Sequence, residues 1–268
     1  MIGGISGSSR ERLSRLLRAT TGVISPGDAS RALNIKRVEA ARLLANWSAQ
    51  GWLARVRRGL YVPVPLESST SDIALEDAWT VAERLFRPCY IGGWSAAEHW
   101  GLTEQLFRST LVISTRRPRA RRVESHGAVF IVRTVRGHAM FGLKPVWRGQ
   151  VKVSVSDPTR TILDLLDTPT LGGGIRSVVE MLRAYFASQS RDPQLLIRYA
   201  EQLGNKAVFK RLGYLVSTFF ESETELADGC RARLSAGNAK LDPKLPADKL
   251  VTAWRVWIPS GFGDGSSA

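Results

Sequence analysis

The fold of the N-terminal part is decided by residues 25–63, which read SPGDASRALNIKRVEAARLLANWSAQGWLARVRRGLYVP. Ser25 suits a helix N-cap, Pro26 suits the first helical position, and Asp28 falls in the first turn, near the positive end of the helix dipole. Asn34 then predicts a tight turn, and a longer helix over residues 36–50 should end at Gly51. This stretch therefore predicts a short helix and a longer helix joined by a turn.

A basic hairpin is predicted directly after the longer helix. Residues 52–64, WLARVRRGLYVPV, alternate as two short strands around the Arg-Arg-Gly turn at 57–59. Ahead of both helices, residues 10–20 place Leu13, Leu16 and Leu17 on one helical face. Three helices followed by a basic hairpin predict a winged helix-turn-helix. In such a module the longer helix, which follows the turn, enters the DNA major groove.

The longer helix should turn an apolar stripe inward and a donor-rich face outward. We expect the stripe to consist of Val38, Ala41, Leu44 and Trp47 or Ser48. Side chains with several hydrogen-bond donors suit base edges, and the arginines of the hairpin suit phosphates. The predicted DNA-contacting residues are Lys36, Arg37, Arg42, Asn46, Gln50, Arg55, Arg57 and Arg58.

The positive charge is concentrated in two places. The chain of 268 residues has a formal net charge of +14. Residues 1–66 hold eleven basic and three acidic side chains, and residues 103–148 hold ten and two, so the remainder is close to neutral. Local excess of this kind indicates an anionic polymer as partner. Within the second region lies a basic cluster of Arg116, Arg117, Arg119, Arg121 and Arg122, which we interpret either as a solvated loop or as a second anionic contact.

The rest of the chain predicts a larger domain in which strands precede helices. Strands are expected near residues 111–114, 128–132 and 151–155, and helices near 72–87, 95–101, 158–166, 175–185, 193–200 and 207–220. Ser95 and Glu98 have the spacing of a capping box. The predicted fold class is α+β. We expect a winged helix-turn-helix over residues 1–66, a mixed helix and sheet domain over 67–260, and a disordered tail over 261–268.

Catalytic, metal-binding and membrane functions find no support in the sequence. No acid-x-Lys motif of a nuclease strand occurs, and the three histidines lack partners at ligand spacing. The Gly run at 172–174 lacks the Lys-Ser/Thr of a phosphate loop and predicts a helix entry. Cys89 and Cys230 are too few for a disulfide framework. We therefore expect no enzyme, cofactor or metal, no membrane contact, and a cytoplasmic location.

Five segments together resemble one family. They are RRGLYV at 57–62, YIGGWSAAEHWGLT at 90–103, VSDPTRTILD at 155–164, LGNKA at 203–207 and RLGYL at 211–215. In this order the chain resembles, over nearly its whole length, the AbiEi antitoxins of abortive-infection (type IV toxin–antitoxin) systems.

The resemblance implies a transcriptional autorepressor that binds inverted repeats ahead of its own operon. It also implies a cognate nucleotidyltransferase-like toxin, which the antitoxin counters without a stable inhibitory complex, and it gives residues 67–260 the antitoxin role. Two other functions fit the residues: an interaction protein that neutralises its toxin by direct contact, and a stand-alone regulator without a toxin.

Overall fold

The computed structural model describes residues 7–20, 23–64, 77–125 and 128–263. It is an α+β protein whose N-terminal part is a winged helix. The elements of this part are α1 (Gly7–Ala19), α2 (Pro26–Leu33), α3 (Arg37–Ala49), β1 (Leu53–Arg57) and β2 (Leu60–Pro63). An isolated antiparallel bridge pairs Ile24 with Tyr61 of β2. The predicted order of helices and strands is confirmed.

Local signals fix the turn between α2 and α3. The Ser25 side chain accepts a hydrogen bond from the Asp28 backbone N–H, and Asp28 accepts one from the Ser25 backbone, so a capping box starts α2. Asn34 ends α2 in the left-handed conformation at φ 53°, a region that Asn tolerates better than most residues. The side chain of Ser30 donates to the Ile35 carbonyl at 2.6 Å. The chain therefore enters α3 in a fixed direction.

The apolar stripe of α3 differs from the predicted one. Ala40, Leu44 and Trp47 are buried, whereas Val38 is 67% exposed. The burial repeats at i, i+4 and i+7, so the helix is rotated relative to the stripe that includes Val38. The reason is tertiary, since Leu13, Leu16 and Leu33 of the neighbouring helices pack against the face that carries Leu44 and Trp47.

A six-stranded mixed sheet forms the centre of the larger part. Its strands are β3 (Cys89–Ile91), β4 (Ser109–Ser114), β5 (Arg122–Ser125), β6 (Ala128–Thr134), β7 (Leu143–Arg148) and β8 (Val151–Ser156). They are ordered β5-β6-β4-β3-β8-β7, with β4 parallel to β6 and β3 parallel to β8. The strands β3, β5 and β7 were not predicted, and β7 contains Pro145. Proline is tolerated there because β7 is an edge strand.

The hairpin of the winged helix contributes to the buried cluster on one face of this sheet. Ala54, Leu60 and Val62 lie in the same buried cluster as Phe130 and Val155. The helix α4 (Ala78–Phe86) packs into this cluster beside them. The two segments expected as separate domains thus share a core, while the expected boundary at residues 66 and 67 and the start of the predicted helix at 72–76 lie outside the described residues.

Helices cover the other face. They are α5 (Gly93–His99), α6 (Pro158–Asp167), α7 (Ile175–Ala187), α8 (Pro193–Leu203), α9 (Lys206–Phe219) and α10 (Thr224–Arg231). A small sheet of β9 (Ala239–Lys240), β10 (Lys249–Val251) and β11 (Val256–Ile258) closes the chain. In α9, Gly213 lies under the Trp254 ring, where an added Cβ would come within 2.1 Å of the ring. That close packing explains the glycine of the RLGYL segment.

Two predicted details are wrong. Ser95 does not cap α5, which begins after Gly92; its side chain instead accepts a hydrogen bond of 2.9 Å from the Leu111 backbone. The tail predicted from Gly261 is not disordered at its start. Phe262 is buried and its carbonyl accepts a hydrogen bond from the Tyr214 hydroxyl at 2.9 Å, and residues 264–268 lie outside the described part.

Candidate nucleic-acid interface

The exposed face of α3 carries most of the predicted base-contacting side chains. Arg37, Arg42 and Asn46 are exposed along it, and Lys36 is exposed at its N-cap. Gln50 lies at the C-cap and is half-buried, at the opposite end of the helix from Lys36 and Arg37. The N-terminal end of such a helix carries a partial positive charge that favours phosphate. The arrangement therefore offers several donors and a favourable dipole on one surface.

These cations differ from other arginines of the protein because they lack acidic partners. Among the described residues, no ion pair includes Lys36, Arg37 or Arg42. By contrast, Arg191 lies 2.8 Å from Glu223, and Arg233 lies 2.6 Å from Glu201. An exposed cation without a carboxylate partner remains free to bind a phosphate or a base acceptor.

The hairpin adds two further exposed arginines. Arg55 on β1 and Arg58 in the turn are exposed, and neither forms an ion pair with another described residue. Gly59 follows at φ 79°, which matches the predicted tight turn. The side chain of Arg57 is outside what the structure describes. The apolar side chains of the hairpin face inward, so Arg55 and Arg58 are left on the solvent side.

The basic cluster lies on the loop between β4 and β5 and at the start of β5. All five arginines are exposed, but Arg122 lies 2.6 Å from Glu124. Arg116 donates a 3.3 Å hydrogen bond to the Arg87 carbonyl. Within the described ranges, Arg117, Arg119 and Arg121 have no ion-pair partner. These three are the free cations of the cluster.

The strand that begins at Arg122 of this cluster contacts the hairpin. Ser125, at the end of β5, donates a hydrogen bond to the Val56 carbonyl of β1 at 3.5 Å. Arg122 begins the same strand, about 10 Å away at the usual rise per residue. The sequence left this cluster open as a solvated loop or a second anionic contact, and no local signal indicates that β5 lies beside the hairpin.

A second contact fixes the helix-turn-helix itself. Asp28 of α2 binds both Arg31, at 2.7 Å, and Arg84 of α4, at 2.5 Å. Burial by itself would raise the pKa of the Asp28 carboxyl, but hydrogen bonds from Ser25 and Arg84 outweigh burial and hold this pKa at about 2. Asp28 is therefore ionised at neutral pH and connects α2 to the larger part of the protein.

Two buried carboxylates at α6, Asp157 at its N-cap and Asp164 within it, have structural partners. Asp157 accepts hydrogen bonds from the Arg160 backbone at 2.7 Å and from the Tyr199 hydroxyl at 3.1 Å. Asp164 binds the buried Arg160 and Tyr90. Over the described ranges, no three His, Cys, Asp or Glu residues are grouped as metal ligands would be.

The remaining candidates also have structural partners. The Gly run leads into α7, whose first N–H binds the Asp242 carboxylate at 3.0 Å, so that carboxylate already occupies the end where a phosphate would bind. His99 lies against Trp100, with ring centroids 4.5 Å apart. Burial, followed by the charge of Arg148, lowers the pKa of His99. Cys89 and Cys230 are free and buried, and burial raises the pKa of each thiol to about 12.

A comparison with solved structures finds a protein of similar fold. Over most of its length the chain is similar to the crystal structure of the RV2827C protein from Mycobacterium tuberculosis. The TM-score is 0.62 at 15% sequence identity, covering 96% of this chain and 93% of the other, so the likeness concerns the fold. No curated protein matches the sequence. No helix in the described ranges has the length and apolar character needed to cross a membrane.

The family comparison concerns the segment that contains most of the predicted interface. Residues 11–64 match the model of a family described as "Transcriptional regulator, AbiEi antitoxin". That range includes every residue of α2, α3, β1 and β2. The N-terminal segment of this chain is thus similar to the AbiEi antitoxin family of transcriptional regulators.

Proposed function

We propose that this protein is a DNA-binding autorepressor that binds inverted repeats at its own promoter through α3 and the hairpin. The observation that carries the proposal is the solvent-facing side of α3, where Lys36, Arg37 and Arg42 have no acidic partner among the described residues. Arg and Lys bind guanine edges in the major groove, and Asn46 suits adenine. The family to which residues 11–64 match supports a regulatory role.

The test is a gel shift with DNA from upstream of the chain's own reading frame, at physiological salt. Lys36→Ala with Arg37→Ala removes two side chains at the N-terminal end of α3. Each lost base contact costs about 1–3 kcal/mol, so we expect the affinity to fall at least about thirtyfold.

A charge-matched control separates base contact from loss of net charge. Arg198→Ala with Lys249→Ala also removes two exposed cations, but from α8 and β10 of the larger part. This variant should keep its affinity within a few fold. Equal losses in the two variants would show that only net charge matters, and an unchanged affinity of the α3 variant would refute the assignment.

We further propose that the protein opposes a nucleotidyltransferase-like toxin as the antitoxin of the same operon. The support is the family description, which names an antitoxin. The residues expected to do this lie in 67–260. Co-expression of the neighbouring nucleotidyltransferase-like gene in bacteria tests the role: growth should be restored by the full chain and by the Lys36→Ala, Arg37→Ala variant.

Two alternatives give different results in the same assay. Neutralisation by direct contact predicts a complex of antitoxin and toxin that survives size-exclusion chromatography. A stand-alone regulator predicts normal DNA binding with no rescue of growth by the chain against the neighbouring gene product.

A further inference from the structure

An exposed valine interrupts the polar face of α3. Val38 is 67% exposed, and among the described residues the large hydrophobic side chains exposed in this way are Leu17, Val38, Leu106 and Trp147. Valine is a poorer helix former than the straight-chain residues that usually fill exposed helical positions. Packing in the core of the winged helix does not explain a valine at this position, and neither does the helix propensity of valine.

The position of Val38 on the helix is defined by the buried stripe. Ala40, Leu44 and Trp47 face the core, and at 100° per residue Val38, Arg42 and Ala45 form a stripe on the opposite side. Val38 is the second residue of α3. It therefore lies in the N-terminal turn, the part of such a helix that contacts base edges.

The apolar group that the major groove presents is the C5-methyl of thymine. We propose that Val38 contacts this methyl group and so specifies thymine at one position of each half-site. This inference rests on the proposed DNA binding through α3. Arg42, one turn further along the same stripe, lies beside Val38 and suits a neighbouring guanine or phosphate. Ala45 carries only a methyl group, so the stripe can approach the groove closely.

The experiment first obtains a duplex by selection from a random-sequence library with the wild-type chain. Each thymine of that duplex is then replaced in turn by deoxyuridine, which removes the methyl and keeps the base pair. At one position per half-site we expect about a fourfold loss of affinity, the value for one buried methyl group. The same scan is run with Val38→Ala.

Coupling between the two changes identifies the contact. Val38→Ala should weaken binding to the thymine duplex by a similar factor, and deoxyuridine at the sensitive position should then cause no further loss. Leu106→Ala is the matched control, since Leu106 is 86% exposed but lies between α5 and β4. It should leave every affinity unchanged.

The failures are distinguishable. If the losses of affinity from Val38→Ala and from deoxyuridine are independent at every position, or if no thymine is sensitive, the assignment of Val38 is wrong. In both cases α3 remains the DNA-binding helix. If Val38→Ala changes the oligomeric state in ultracentrifugation without altering affinity, Val38 is a protein contact and the assignment is also wrong. If selection yields no sequence at all, the proposed DNA binding fails, and this inference fails with it.

Discussion

Arg84 of α4 donates a hydrogen bond of 2.5 Å from its Nη1 to the Oδ2 of Asp28, which lies 56 residues earlier in α2. The same carboxylate completes the capping box with Ser25. One ionised side chain therefore both starts a helix of the helix-turn-helix and attaches that helix to the larger part of the protein.

Replacing Asp28 by Asn should destabilise the protein in a pH-dependent way. The pKa of Asp28 is held at about 2 in the folded chain, against an ordinary value of 3.8. A lowered pKa stabilises the fold above the ordinary value, and the stabilisation is lost as pH falls through about 4 to 2. It amounts to about 2 kcal/mol at neutral pH. Urea unfolding at pH 7 and at pH 3 should show a smaller difference between the variant and wild type at pH 3.

A control for this prediction uses the second arginine on the same carboxylate. The side chain of Arg31 is 81% exposed, and exposed ion pairs contribute about 1 kcal/mol or less. Arg31→Ala should therefore change stability little, whereas Arg84→Ala should approach the effect of the Asp28 variant. Equal effects of the two arginine variants would refute the role of α4 in this junction.

The hairpin arginines should act on phosphates. Arg55→Ala and Arg58→Ala should weaken binding to all DNA sequences alike, because phosphates carry no sequence information. Each lost contact should reduce the slope of log affinity against log salt by about 0.9. Arg57→Ala, also predicted from sequence, belongs in the same titration. A change in base preference at constant slope would mean that the hairpin reads bases.

The basic cluster should extend the DNA-binding surface. Replacing Arg117, Arg119 and Arg121 by Ser should lower operator affinity at low salt, with a loss that shrinks as salt rises and with base preference preserved. A matched variant with Arg198, Lys244 and Lys249 changed to Ser removes the same charge from other exposed positions. Normal DNA binding combined with failure to restore growth against the toxin would assign the cluster to the antitoxin role instead.

We expect no metal-dependent turnover of nucleic acid or nucleotides. The lone pairs of Asp157 and Asp164 are used by neighbours such as Tyr199 and Arg160, so a hydrated Mg²⁺ would have to displace these contacts. The measurement is incubation with DNA, RNA or nucleoside triphosphates plus Mg²⁺ or Mn²⁺. Turnover that disappears in an Asp157→Asn variant would contradict this expectation.

The winged helix could be predicted from the sequence because its signals are local. Ser25 and Asp28 form the capping box of α2 and are only three residues apart. Asn34 sets the turn by its own backbone preference. The α+β class also follows from the order of strand and helix patterns. Most of the candidate DNA-contacting residues were identified from the polar side chains of the longer helix and the arginines of the hairpin.

The orientation of α3 and the placement of the hairpin were decided only by the tertiary structure, because both depend on contacts between distant segments. Ala and Val fit either side of α3, so the phase that exposes Val38 was set by the docking of the first two helices against Leu44 and Trp47. The hairpin is buried in the same cluster as residues of the sheet, and Ser125 contacts Val56, which lies 69 positions earlier. No periodicity encodes such a pairing, because a pattern of apolar residues shows that a face is buried but not which surface buries it.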